Sequence, residues 1–96
     1  MINLESNFEQ TITRAIDKFG AEKQLRQMQE EAGELIVATN KIFRENNDQT
    51  TKELLEEMAD MHIMLQQAVK IICKSETEFI DMINFKLKKL EGYLNE

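Results

Sequence analysis

The 96-residue sequence contains no proline and only three glycines. Both residues punctuate turns and interrupt helices, so their scarcity disfavours a turn-rich β protein and favours long helices. The only cysteine, Cys73, has no partner for an internal disulfide, which indicates a reducing, cytoplasmic setting. The apolar runs are far too short for a membrane span, and the first residues lack the pattern of a signal peptide. We therefore expect a soluble, cytoplasmic protein with no membrane partner.

Positive charge is also scarce, because 12 lysines and arginines face 18 aspartates and glutamates, for a net charge of −6. A nucleic-acid-binding protein needs a basic face, so this balance argues against a nucleic-acid partner. Hydrophobic residues make up 42% of the chain and charged residues 31%, which is typical of a globular domain. The length predicts one domain over residues 1–96. A helical domain of this size often completes its core by pairing with copies of itself.

Apolar residues recur at spacings of three and four along most of the chain, which is the pattern of amphipathic helices. Gly20 is expected to end the first helix, and the polar segment 45–49 is expected to be a loop. Four helices with short connections predict an all-α fold, a four-helix bundle. The first helix carries apolar positions from Phe8 to Phe19, and the other three are predicted over about Ala21 to Arg44, about Thr51 to Cys73 and about Glu76 to Leu94.

Local signals predict where helices begin and which faces turn inward. In a capping box, a Ser or Thr hydroxyl accepts a hydrogen bond from a free backbone N–H, and a Glu three residues later reaches back. Three such pairs are present: Ser6 with Glu9, Thr50 with Glu53, and Ser75 with Glu78. On the fourth helix, the stripe expected to face the core consists of Phe79, Ile80, Ile83, Leu87, Leu90 and Leu94.

Two pairs of acidic residues lie beside the apolar stripes of the long helices. Glu31 and Glu34 are three residues apart on the second helix, and Glu57 and Asp60 have the same spacing on the third. If these helices pack antiparallel, as their short connection implies, the four acids converge. Converging carboxylates repel one another, so they either take up protons or bind a cation. Oxygen ligands alone favour a hard divalent ion such as Mg²⁺, with substrate phosphates completing its shell.

A solvated acidic face is the alternative interpretation of these residues. Helices rich in glutamate usually present such a face to water, and one acidic pair alone would be explained in that way. Two pairs with matching spacing on consecutive helices favour the metal site.

The acidic residues also form a recognisable motif. The run Glu30-Glu31-Ala32-Gly33-Glu34, followed after 22 residues by Glu57-Met58-Ala59-Asp60, resembles the EExxE…ExxD signature of the MazG-like nucleotide pyrophosphohydrolases. Phe19-Gly20, Gln24-Leu25 and the lysine-rich final helix are similar to features of the short phage and bacterial members. The resemblance covers nearly the whole chain, from about Phe8 to Leu94.

This resemblance implies a MazG-like helical bundle that forms homodimers or homotetramers. It implies hydrolysis of a nucleoside triphosphate, ribo- or deoxyribo-, to the monophosphate and pyrophosphate, with Mg²⁺ as the cofactor and Mn²⁺ as a substitute. Glu31, Glu34, Glu57 and Asp60 fall on the metal-ligand positions. Glu30 falls on the first motif acid, which binds an additional ion or supports the ligands. Glu34 and Glu31 are the catalytic candidates, and which acid accepts a proton from the attacking water stays open.

The resemblance also suggests residues that contact the substrate. Lys86 and Lys89 correspond to basic positions late in the last helix, where a phosphate contact is expected. Family members often carry arginine at the position of Lys89 and a further basic residue near Tyr93, so this chain departs from the pattern there. Gln24 and Phe19 would border a base pocket, although Phe19 is equally explained as a core residue.

Other functions stay open at this point. A phosphoribosyl-ATP pyrophosphohydrolase shares the fold and the acidic motif, and a non-catalytic helical module would bind only nucleotide or a protein partner. A ferritin-type di-iron site is disfavoured because Ala59 stands where a Glu-x-x-His motif ending at His62 needs glutamate. We expect His62 to be a packed or boundary residue. Gly33 inside a helix costs about 1 kcal/mol relative to alanine, which a close helix approach or simple tolerance would explain.

Overall fold

The computed structural model describes residues 6–95, and this part of the chain forms four α-helices and no strand. The prediction of an all-α, four-helix fold is confirmed. Within the same residues, no helix has the length and apolar character needed to cross a membrane. The helices are α1 (Phe8–Phe19), α2 (Ala21–Arg44), α3 (Asp48–Ile72) and α4 (Glu76–Leu94).

The junction between α1 and α2 is a single residue. Gly20 has φ 91° and ψ 149°, and it both ends α1 and precedes the first residue of α2. A positive φ of this size is easily adopted only by glycine, because it brings a Cβ too close to the backbone. The prediction that the first helix ends at Gly20 is confirmed.

The third helix begins three residues earlier than predicted. Its N-cap is Asn47, whose side-chain oxygen accepts from the backbone N–H of Thr50 at 2.9 Å. The Thr50 hydroxyl accepts in return from the backbone N–H of Asn47 at 3.0 Å. The predicted cap at Thr50 is therefore wrong, since this residue is the third of the helix and Asn47 supplies the capping oxygen.

The other two predicted caps have different outcomes. Ser75 is the N-cap of α4, and its hydroxyl accepts from the backbone N–H of Glu78 at 3.4 Å, as predicted. The cap predicted at Ser6 is wrong, because α1 begins after Asn7, which makes no side-chain capping bond. Glu9 instead forms an ion pair with Lys70 of α3 at 2.7 Å, which links α1 to the rest of the bundle.

The bundle is built around the antiparallel pair of α2 and α3, and α1 packs across both. Two cross-helix contacts at opposite ends of the pair define its register. Gln24 at the start of α2 donates to Gln67 near the end of α3 at 2.7 Å. Lys41 near the end of α2 contacts Glu53 near the start of α3 at 3.4 Å. The apolar core between the three helices contains Ile12, Ala38, Met64 and Ala68.

The last helix stands apart from this core. Within the described residues, α4 contacts α3 alone and has no buried residue. The prediction that its apolar stripe faces the core of the chain is wrong for five of its six members, and only Phe79 is half-buried. A helix can bury its apolar face only where other helices cover it, and α1 and α2 do not reach α4.

Candidate metal centre

The acidic residues of α2 and α3 meet near the middle of the antiparallel pair. One carboxylate oxygen from each of Glu31, Glu57 and Asp60 lies within 4.8 Å of the other two. The register explains this meeting, because Gln24 contacts Gln67 at one end of the antiparallel pair. Glu31 is seven residues after Gln24 and Asp60 is seven residues before Gln67, so these two acids lie side by side. Three of the four acids predicted to converge therefore meet across the helix pair, and Glu34 is not among them.

The spacing of these oxygens is close to that of a metal shell. Oxygens bound to one Mg²⁺ at about 2.1 Å lie at most about 4.2 Å apart. The observed 4.8 Å limit is slightly wider. The three carboxylates are therefore suitable ligands for a hard divalent cation.

Two carboxylate oxygens at this place have no hydrogen-bond partner among the described residues. Glu31 accepts from the side chain of Gln27 through Oε1 at 3.0 Å, but its Oε2 is buried and unpaired. Oε2 of Glu57, on the facing helix, is buried and unpaired as well. A buried polar atom without a partner is costly, so these two oxygens need a proton, a water molecule or a cation.

The electrostatics of Glu31 indicate the same need. Burial raises the pKa of Glu31, the hydrogen bond from Gln27 opposes the shift, and the negative charges of Glu34 and Asp60 add to it. Desolvation and repulsion therefore make the ionised form of this carboxylate less favourable than it is in water. A bound divalent cation would reverse this effect, because it favours the ionised form of every ligand.

The remaining predicted acids lie beside the cluster. Glu34 is close enough for its charge to raise the pKa of Glu31, yet it is exposed and is not among the three converging residues. It lines an open cleft of about 740 Å³ between α2 and α3, together with Glu30 and Glu57. Glu34 and Glu30 therefore line the open space next to the acidic cluster.

The cleft contains residues that the sequence did not single out. Glu53 and Glu56 add to its negative charge, and Lys41 is the only basic residue among the described residues that line it. Lys41 follows Glu34 by seven residues, which is about two helical turns, so both lie on one face of α2. The sequence signal is only that Lys41 shares a helix face with Glu34, because the cleft itself is formed by the packing of α3 against α2. Val37 and Ala38 supply the apolar part of the wall.

The predicted substrate residues lie elsewhere in the chain. Gln24 is buried and bonded to Gln67 in the interior. Phe19 is 47% exposed, with the ammonium groups of Lys18 and Lys23 within 6 Å of its ring, at 5.6 and 5.2 Å. The alternative that Phe19 is a core residue is therefore wrong.

Lys86 and Lys89 lie on α4, which contributes no residue to the lining of the cleft. Within one chain, the structure does not bring the predicted phosphate-contacting lysines to the acidic cluster. The reason is the same one that leaves the apolar stripe uncovered: in the described part of the chain, α4 contacts α3 alone.

Two secondary predictions are settled by the same geometry. His62 is half-buried on α3, as expected for a packed or boundary residue. Gly33 lines the cleft, and a Cβ placed on it would meet nothing within 4 Å. Close helix approach therefore does not explain this glycine.

Comparisons of the chain with protein-family models, curated proteins and solved structures find no match. The similarity to MazG-like enzymes consequently rests on the acidic motif and on the helical pattern.

Proposed function

We propose that this chain is a Mg²⁺-dependent nucleoside triphosphate pyrophosphohydrolase that converts an NTP or dNTP to the monophosphate and pyrophosphate. The observation that carries the proposal is the convergence of Glu31, Glu57 and Asp60. Two of these residues each present a buried, unpaired oxygen at that point. An acidic face that only interacts with water would not bury such oxygens between two helices.

The chain's own residues have distinct roles in this proposal. Glu31, Glu57 and Asp60 hold the cation, which when bound supplies positive charge to the triphosphate and favours attack on phosphorus. Glu34, exposed at the edge of the cluster, orients the attacking water and accepts its proton. Lys41 contacts a phosphate oxygen from the far end of the cleft, where its ammonium group offers a charged hydrogen bond.

The cleft is suitable for a nucleotide in size and polarity. Its volume of about 740 Å³ is within the range of about 300–1,000 Å³ that is typical of small-molecule sites. Its strongly acidic lining would repel a free triphosphate, so substrate binding requires bound metal. We therefore expect substrate affinity to depend steeply on Mg²⁺, with Mn²⁺ as a substitute. A cytoplasmic location and assembly into dimers or tetramers belong to the same proposal.

The decisive experiment measures the first product from a panel of canonical and modified nucleoside triphosphates, with phosphoribosyl-ATP included. We expect Mg²⁺-dependent release of pyrophosphate and not of orthophosphate. Asp60→Asn should reduce turnover about 100-fold or more, because a metal ligand is lost. Asp48→Asn is the matched control, since Asp48 is an exposed aspartate on the same helix outside the cleft, and it should retain activity.

A second measurement separates metal binding from chemistry. Mg²⁺ should raise the melting temperature of the wild type and of Asp48→Asn but not of Asp60→Asn. Metal stabilisation without turnover on any nucleotide would favour a non-catalytic binding module. Orthophosphate as the first product, or no response to Mg²⁺ or Mn²⁺, would contradict the proposed function.

A further inference from the structure

The chain exposes more surface than a folded monomer of its size. Its accessible area is 7994 Å², whereas a compact monomer of 11.3 kDa exposes about 5,700 Å². Its radius of gyration is 15.8 Å, against about 12.5 Å for a compact domain of this length. The excess area of about 2,300 Å² is comparable to what one subunit of an obligate homodimer buries, about 1,000–2,500 Å².

Much of the uncovered apolar surface lies on α4. Ile80, Ile83, Leu87, Leu90 and Leu94 are between 43% and 75% exposed. Their spacing is three, four, three and four residues. This alternation is the pattern of a coiled-coil seam, in which every such residue packs into a partner helix. No other helix among the described residues 6–95 occupies that position. We call these five residues the α4 seam.

The charges of α4 indicate what covers the seam. Its first half carries Glu76, Glu78 and Asp81, and its second half carries Lys86, Lys88, Lys89 and Glu91, so the first half is net acidic and the second half is net basic. An identical helix in the antiparallel direction places the acidic half of each beside the basic half of the other, and it also opposes the two helix dipoles. A parallel copy would place like charges together.

We propose that a second copy of this chain covers the α4 seam, with the two α4 helices packed antiparallel across a two-fold axis. In this antiparallel arrangement, Ile80 packs against the partner's Leu90 and Ile83 packs against the partner's Leu87. The two-fold axis therefore passes at the level of residue 85 of each helix. Such an interface is isologous, so it closes after two copies. It does not depend on the proposed enzymatic activity, because the acidic cluster lies on other helices.

The first test measures the oligomeric state of the full chain by sedimentation equilibrium. Wild type should be a dimer, and Leu87→Glu should raise the dissociation constant about 100-fold or more, since it places a charge in the seam. Phe85→Glu is the matched control: Phe85 is also exposed, at 58%, but it points about 160° or more away from the seam. It should remain a dimer with the wild-type constant.

A second test determines direction and does not rely on Leu87→Glu being folded. In a Cys73→Ser background, Asn84→Cys lies beside the two-fold axis and should form a disulfide-linked dimer on mild oxidation. Leu87→Cys should not form one, because the two copies of position 87 lie about four residues apart along the helix direction. The reverse result would indicate parallel helices and overturn the geometry. A monomeric wild type, or a dimer unaffected by Leu87→Glu, would overturn the interface and leave the seam to another occupant.

Discussion

The α2–α3 pair and α4 are both long amphipathic helical segments, but they differ in where their unusual residues lie. In the pair, polar groups are placed where apolar ones would be expected: Gln24 and Gln67 are buried, and Glu31 and Glu57 each bury an oxygen. In α4, apolar groups are placed where polar ones would be expected, and the helix has no buried residue.

The two regions therefore lack different kinds of partner. The two glutamines are hydrogen-bonded to each other, whereas the buried glutamate oxygens have no partner within the described part of the chain, which indicates a small charged ligand. The α4 helix lacks an apolar partner of its own length, which indicates another helix. Unpaired buried polar atoms and exposed apolar area both cost free energy, so each region is stabilised when its missing partner binds. The two regions are therefore expected to respond to different perturbations.

The largest expected contrast concerns apolar truncation. Ile12 is 2% exposed, so Ile12→Ala should lower the free energy of unfolding by about 2–5 kcal/mol at every protein concentration. Leu90→Ala should cost less than about 1 kcal/mol in dilute monomer, and more as concentration favours the dimer. Denaturant unfolding over a range of protein concentrations checks both. A loss at Leu90 that is independent of concentration would mean that this side chain packs within its own chain.

The buried amide pair gives the next largest effect. Gln24→Ala should lower the free energy of unfolding by about 1–3 kcal/mol, because it leaves the Gln67 carbonyl oxygen buried without its donor. Gln29→Ala, an exposed glutamine on the same helix, should change little. A variant with leucine at both Gln24 and Gln67 should recover most of the loss. If Gln24→Ala instead changes substrate affinity and leaves stability unaltered, the predicted contact with the base would be favoured over an interior role.

A smaller effect distinguishes the two candidate sources of phosphate contacts. On the proposed function, Lys41→Gln should raise KM about tenfold, equivalent to losing one charged hydrogen bond of about 1.4 kcal/mol. Lys89→Gln removes the same charge from α4 and should leave KM within about twofold. Steady-state kinetics at saturating Mg²⁺ compares the two. A larger effect at Lys89 would show that the last helix reaches the cleft of another copy, as the family resemblance implies.

The smallest effect concerns the titration of Glu31. Its raised pKa means that native protein retains a proton at pH values where the unfolded chain has lost it. The stability that this proton contributes is present at low pH. It is lost as the pH rises from the ordinary pKa of a glutamate to the raised pKa of Glu31. In EDTA, Glu31→Gln should remove this loss and melt about 1–2 °C higher than wild type near neutral pH. Added Mg²⁺ should reverse the order, since only the wild type binds the ion.

The sequence predicted the helices accurately because their signals are local. Apolar spacing and Gly20 defined α1 and α2, and Ser75 defined the start of α4. The error at α3 arose where two local signals competed, since both Asn47 and Thr50 can cap a helix and only the packed turn decides between them. The candidate ligands Glu31, Glu57 and Asp60 were also readable, because their three-residue spacing and short connecting loop constrain them to one face.

By itself, the sequence determined that this protein is helical, where most helices begin and end, and which acids can meet. These properties depend on contacts between residues a few positions apart, and such contacts follow from helical geometry. Only the tertiary structure decided that Gln24 is interior, that Lys41 lines the acidic cleft, and that α4 leaves its apolar stripe uncovered. Each of these depends on the register and reach of separate helices, which periodicity along one helix does not encode.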